Sequence, residues 1–162
     1  MSKIKGMLSK VTINPANFSG LIRENISQWV GIDTSKATLD VYLRPLGKAM
    51  KVNNTEEDIS KLVETLKYYT VNLIVLEATG GWETELVIQL QAAGLPGALI
   101  NPRQGRDFAK ATGKLAKTDA IDAQILAHFG EAMQPQILAV ESEESRQLGD
   151  LIRVGWIMVK PF

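Results

Sequence analysis

Cysteine is absent from the 162 residues, which excludes a disulfide scaffold and any zinc or iron–sulfur site built on Cys ligands. Histidine occurs once, at His128, so no second imidazole stands at ligand spacing, and a packing or surface role is the expectation for it. No apolar run approaches the ~20 residues needed to cross a bilayer, and the first residues alternate lysine with small side chains instead of forming a signal-peptide core. The expectation is a soluble, cytoplasmic protein without a membrane partner. An excess of charge is lacking too: 18 basic residues balance 18 acidic ones, so the global field does not mark a nucleic-acid binder. What remains is ordinary. A chain with 45% hydrophobic and 22% charged residues is not disordered, collagen-like or fibrous, and a domain of this size buries about 68–70% of its unfolded surface.

Local charge is less even than the total. Arg103, Arg106, Lys110, Lys114 and Lys117 surround a single Asp107, whereas Glu131, Glu141, Glu143, Glu144 and Asp150 gather later. Such a run is either a solvated face or a track for phosphates.

Residues 1–27 read as a leader, extended or loosely helical, broken by Asn14-Pro15 and Ser19-Gly20. A domain over residues 28–130 follows. Trp29 to Ile32 is a short apolar run, and Thr38 to Arg44 alternates like a half-buried strand with Leu39, Val41 and Leu43 on one side. Pro45-Leu46-Gly47 turns the chain into a third strand at Ala49 to Val52. These three predict an antiparallel meander. Thr55 and Asp58 form a capping-box pattern, with Asp in place of the usual Glu or Gln, ahead of Ile59, Leu62, Val63 and Leu66 at helical spacing. Val71 to Leu76 is a continuous apolar strand of the kind buried on both faces. Trp82 to Ala93 predicts a helix closed by Gly94, Ala98 to Ile100 a fifth strand, and Asn101-Pro102 the capped start of a helix that breaks near Gly113. Thr118 is the expected cap of a further helix carrying Ile121, Ile125, Leu126 and Phe129, with Gly130 as its stop. Residues 131–162 then read as a linker at Pro135, a helix candidate at Glu143 to Val154, and an apolar tail. The fold class is therefore α/β: a mixed five-stranded sheet with flanking helices.

Four acids stand at element ends. Asp33 follows the first strand, Glu77 follows the fourth, and Asp119 and Asp122 lie three apart on the first turns of the expected helix. If the first and fourth strands are adjacent, Asp33 and Glu77 meet where the sheet order reverses, the place where open α/β sheets build ligand sites. Four crowded carboxylates repel one another, and a hard cation such as magnesium relieves that repulsion. Plainer explanations stand beside this one. First-turn acids suit the helix macrodipole, Asp33 can begin a turn, and Glu77 can pair with a lysine. Gly80-Gly81 is neither a Walker loop nor a dinucleotide fingerprint, and Trp82 is expected in the core ahead of a base-stacking role.

The strings Val30-Gly31-Ile32-Asp33-Thr34-Ser35-Lys36, Leu76-Glu77-Ala78-Thr79-Gly80-Gly81-Trp82, Asn101-Pro102, Gly113-Lys114 and Lys117-Thr118-Asp119-Ala120-Ile121-Asp122-Ala123 together resemble the DEDD transposases of the insertion-sequence-110 family, relatives of the pilin-gene invertase. The resemblance implies an RNase H-like domain similar to the RuvC junction resolvase over roughly residues 28–130. It implies that Asp33, Glu77, Asp119 and Asp122 bind Mg2+ or Mn2+ and are catalytic. It further implies DNA as a partner and, for some members, an element-encoded structured guide RNA. Lys114 and Lys117, with Arg103, Arg106 and Lys110 extending the track, are the candidate phosphate contacts, and Lys36 a weaker one. Family members continue into a second domain with a nucleophilic serine; neither Thr34 nor Ser35 replaces it, and the ending at Phe162 leads us to expect a truncated copy. The expected function is divalent-metal-dependent phosphoryl transfer on DNA by the N-terminal catalytic domain of a transposase. A non-catalytic nucleic-acid-binding or dimerising remnant is the competing expectation, and an ATPase half the third. The apolar run Trp156 to Val159 either packs onto its own domain or is covered by a second copy in a homodimer, and the homodimer is the expectation.

Overall fold

The computed structural model describes residues 26–113, 122–134 and 156–159. Among the described residues there are six strands: β1 Gln28–Thr34, β2 Thr38–Arg44, β3 Lys48–Asn53, β4 Val71–Glu77, β5 Gly97–Ile100 and β6 Trp156–Met158. They form one sheet in the order β3-β2-β1-β4-β5-β6. The first three pair antiparallel as a meander, and β4, β5 and β6 add in parallel to β1 and to one another. The four described helices are α1 Glu56–Leu66, α2 Thr84–Ala92, α3 Pro102–Ala111 and α4 Ala123–Met133. This is the mixed sheet with flanking helices expected of an RNase H-like domain, with one strand more than the five predicted.

Strand alternation sorts side chains to the two faces. On one, Val30, Ile32, Leu39, Val41, Leu43, Ile74 and Leu76 pack with Ile59, Leu62, Val63 and Leu66 of α1 and Leu86 and Leu90 of α2. On the other, Leu73, Val75, Ala98 and Ile100 meet Ala109 of α3 and Ile125, Leu126 and Phe129 of α4. Each large aliphatic side chain buried in these layers contributes about 1.5–3 kcal/mol relative to exposure. The predicted caps form: Thr55 accepts from Asp58 N at 3.2 Å, and Asn101 accepts from Arg103 N at 2.8 Å while Gln104 Oε1 accepts from Asn101 N at 3.0 Å. Gln28, fully buried, is satisfied by bonds to Ile26 O at 2.7 Å and from Leu46 N at 2.9 Å.

Two expectations are corrected. The helix expected from Thr118 begins at Ala123, with Asp122 extended at φ −97 and ψ 172 as its N-cap, because the Asp122 carboxylate takes the Ile125 N–H at 2.9 Å. Asp122 therefore precedes the helix instead of sharing its first turns with Asp119; Thr118, Asp119 and Ile121 lie outside the described residues. Gly130 does not stop this helix, which runs to Met133 and ends on Gln134 at φ 39. Its missing side chain serves close approach: a Cβ there would stand 2.9 Å from Val75 Cγ2. The apolar tail, finally, packs its first residue onto its own chain. Trp156 is fully buried at the sheet edge, donates its indole N–H to Leu95 O at 2.6 Å, and lies where a Cβ on Gly97 would overlap its ring. Met158, two residues on, is 43% exposed. The leader and the helix candidate at Glu143 to Val154 lie, whole or nearly so, outside the described residues. Among the described residues, no helix is long and apolar enough to cross a membrane.

Candidate active site

Parallel pairing of β1 with β4 runs in the register Ile32↔Leu76, so Asp33 and Glu77 are neighbours at the carboxyl ends of adjacent strands. Both belong to the face that carries α4, since Trp29 and Gly31 precede Asp33, and Leu73 and Val75 precede Glu77, at the period of two. Gly31 decides how near the helix comes. A Cβ there would overlap Ala123 O and stand 2.5 Å from Ala127 N, so only glycine lets the first turn of α4 rest on β1. The N-cap Asp122 is thus brought to the strand ends. Across the antiparallel ladder, Asp33 faces Asp40.

The electrostatics record this crowding. Asp33 is half-buried and its pKa is raised, first by burial and then by the charges of Asp40 and Asp122. The pKa of Glu77 is raised by burial and by Asp33, against an opposing pull from Arg106. Like charges and partial desolvation both disfavour the ionised forms. On the outer side, Lys51 Nζ stands 3.8 Å from Asp40 Oδ1. A donor set made only of carboxylates, without thiol or imidazole, is chemically fitted to a hard cation. Among the described residues, no three His, Asp or Glu side chains stand together so as to hold a metal ion; Asp119 is outside the described residues.

Beyond Glu77 the chain makes a built turn. Gly80 and Gly81 adopt φ 80 and 133, the left-handed region open to glycine. Inside this turn the Glu83 carboxylate accepts from Thr79 N and Gly81 N, each at 3.2 Å, and from the Thr79 hydroxyl. Burial pushes the Glu83 pKa up, but the hydrogen bonds from the Thr79 side chain and from backbone N–H groups outweigh it and hold the pKa below its ordinary value. Thr79 Oγ1 in turn lies 3.4 Å from Thr34 Oγ1 at the end of β1. Asn54 ties the same region from the side, donating to Ser35 O at 2.8 Å and Trp82 O at 2.9 Å.

Trp82 is not a core residue. The two glycines turn it outward before α2 begins, and it is 49% exposed, with Lys36 Nζ 5.9 Å from its ring centroid. His128 packs edge-on against Phe108, ring centroids 5.0 Å apart, in the packing role expected. Arg103, Arg106 and Lys110 are exposed on α3, and Arg106 is near enough to act on Glu77. Lys114 and Lys117 lie outside the described residues.

Three participants were missed in the sequence. Asp40 was legible, because placing Leu39, Val41 and Leu43 on one face of β2 puts it on the other, with Asp33. Glu83 and Asn54 were not, since their roles depend on a turn geometry that no spacing rule describes.

The family model described as a transposase, that of the insertion-sequence-110 DEDD proteins, matches residues 30–155. No curated protein sequence matches. Among solved structures, the chain is similar to RuvC of T. thermophilus in complex with a Holliday junction substrate, with 15% identity and a TM-score of 0.45 over 67% of this chain and 96% of that one. It is similar also to an inorganic polyphosphate/ATP-glucomannokinase from Arthrobacter sp. strain KM, with 15% identity and a TM-score of 0.40 over 58% of this chain and 52% of that one. The family match spans well over half of the sequence and includes every acid of the motif: this chain belongs to the insertion-sequence-110 DEDD transposase family.

Proposed function

We propose that this chain acts on DNA as the RNase H-like catalytic domain of a transposase, with Asp33, Glu77, Asp119 and Asp122 as the carboxylates that hold one or two Mg2+ or Mn2+ ions. The observation that carries this reading is the meeting of Asp33 and Glu77 on adjacent parallel strands, within reach of the charge of Asp122. A bound divalent cation would polarise a scissile phosphate and lower the pKa of an attacking oxygen. The protein's own contributions are of three kinds. Asp33 and Glu77 supply negative charge fixed by the sheet. Asp122 supplies a carboxylate whose direction is set by its bond from Ile125 N. Arg106, beside Glu77, supplies a cation for the phosphate backbone, and Arg103 and Lys110 on α3, with Lys114 and Lys117 beyond it, extend that track.

The test is strand scission of supercoiled and branched DNA by the purified chain, with Mg2+, with Mn2+ and with a chelator. Metal-dependent nicking that is lost in Asp33→Asn and Glu77→Gln is the expected result. DNA binding without nicking, unchanged by either substitution, would return the chain to the competing class of a non-catalytic nucleic-acid-binding module. Isothermal calorimetry provides the independent check, since Mg2+ or Mn2+ binding should weaken in each variant. Equal binding by wild type and variants removes the acids from the metal site.

A further inference from the structure

The turn between β4 and α2 is more elaborate than a connection needs. Its interior is filled by the Glu83 carboxylate with donors from Thr79 and Gly81. Its outer carbonyl, that of Trp82, is held by Asn54, whose other bond goes to the turn after β1. The product of this bracing is an aromatic ring standing half in water beside a lysine. Because β1 and β4 are parallel, the ring and the Asp33–Glu77 pair occupy the same end of the sheet.

We propose that Trp82 is a stacking surface for an unpaired nucleobase of a DNA strand, with Lys36 against the adjoining phosphate. The proposal rests on the DNA reading above and adds the feature of the substrate that this site selects: a base out of its pair next to the acids. An exposed indole offers any base a π-face whatever its sequence. A ring held in advance by the turn loses little freedom on stacking, which favours binding. Lys36, near the ring face, supplies both a cation–π contact in the free protein and a charge for the backbone in the complex.

The experiment compares the full chain on two DNAs of equal length, one fully paired and one carrying a three-nucleotide bulge, without divalent metal. The wild type should bind the bulged DNA more tightly and lose tryptophan emission on doing so. Trp82→Ala should weaken bulge binding about 10-fold while leaving the paired duplex within about 2-fold, the cost expected of one lost base–aromatic stack. Trp82→Phe should keep bulge affinity within about 3-fold but lose the emission change. Glu83→Gln, which weakens the brace and leaves the ring in place, should give an intermediate loss on the bulge alone. Equal affinities of wild type and Trp82→Ala for the bulge, with salt-dependent duplex binding intact, would overturn the stacking site and leave the DNA reading standing. An equal loss on both DNAs would also overturn it, since a stack acts only on the unpaired base. Failure of the wild type to bind either DNA at low salt would overturn both readings.

Discussion

Asp33 illustrates what a half-buried carboxylate among other acids costs the fold. Its pKa is raised from an ordinary 3.8 by burial and by two acidic neighbours. A group whose folded pKa lies above its unfolded one favours the fold below the unfolded value, and that contribution is lost as pH rises through the folded value. At neutral pH without divalent metal, ionised Asp33 therefore works against the native state. Asp33→Asn should raise Tm at neutral pH, by no more than about 4 °C because solvent screens a half-exposed charge. The gap should narrow as pH falls through the raised folded value and be gone below 3.8. Thermal unfolding across this pH range checks it, and a lower Tm for the variant at neutral pH would assign Asp33 a structural partner instead. Asp33 and Glu77 were readable in the sequence because strand ends are legible from apolar runs. Asp40 could have been found from the same alternation.

At the scale of elements, α4 matters most, because it carries Asp122 and rests on β1 through Gly31 and on β4 through Gly130. Arg44, by its 3.0 Å ion pair with Glu131, ties the far end of the helix to β2. Asp122 has two duties here, as cap of the helix and as charge at the site, and substitution can separate them. Asp122→Ala should lose the bond to Ile125 N and about 1 kcal/mol, a fall in Tm of about 2–4 °C. Asp122→Asn caps as well as aspartate and should hold Tm near wild type while losing metal-dependent nicking. An Asn variant as unstable as the Ala variant would deny the cap its role. The sequence suggests a helix here but misplaces its start, since Thr118 and Asp122 are both competent caps and spacing does not choose between them. Packing does: the first turn has to lie over Gly31, and Ala123 is the residue there.

For the whole molecule, balanced charge leaves no long-range field to draw DNA in. On the proposed reading, affinity for DNA then has to come from local cations. Exposed Arg103 and Lys110 on α3, on the side of the sheet that carries the acids, should each contribute about one unit to the slope of log affinity against log salt. Anisotropy titrations of a branched DNA between about 50 and 200 mM salt should show the slope reduced by that amount in Arg103→Gln and again in Lys110→Gln. Slopes identical to wild type would leave α3 as a solvated face.

Sequence by itself determined the order of the meander, the apolar strand Val71 to Leu76, the caps at Thr55 and Asn101, and the family motif with its acids, because each follows from local chemistry: alternation, hydrogen bonding to a helix end, a fixed string of residues. Tertiary structure decided the rest. Only pairing in space shows that β4 lies beside β1, which makes neighbours of Asp33 and Glu77. Only packing puts Trp156 into the sheet edge beside Gly97. And only the bonds within the Gly80-Gly81 turn hold Trp82 out of the core, since a side chain's exposure depends on which backbone donors its neighbours satisfy, and in this turn Thr79 and Gly81 donate to the Glu83 carboxylate.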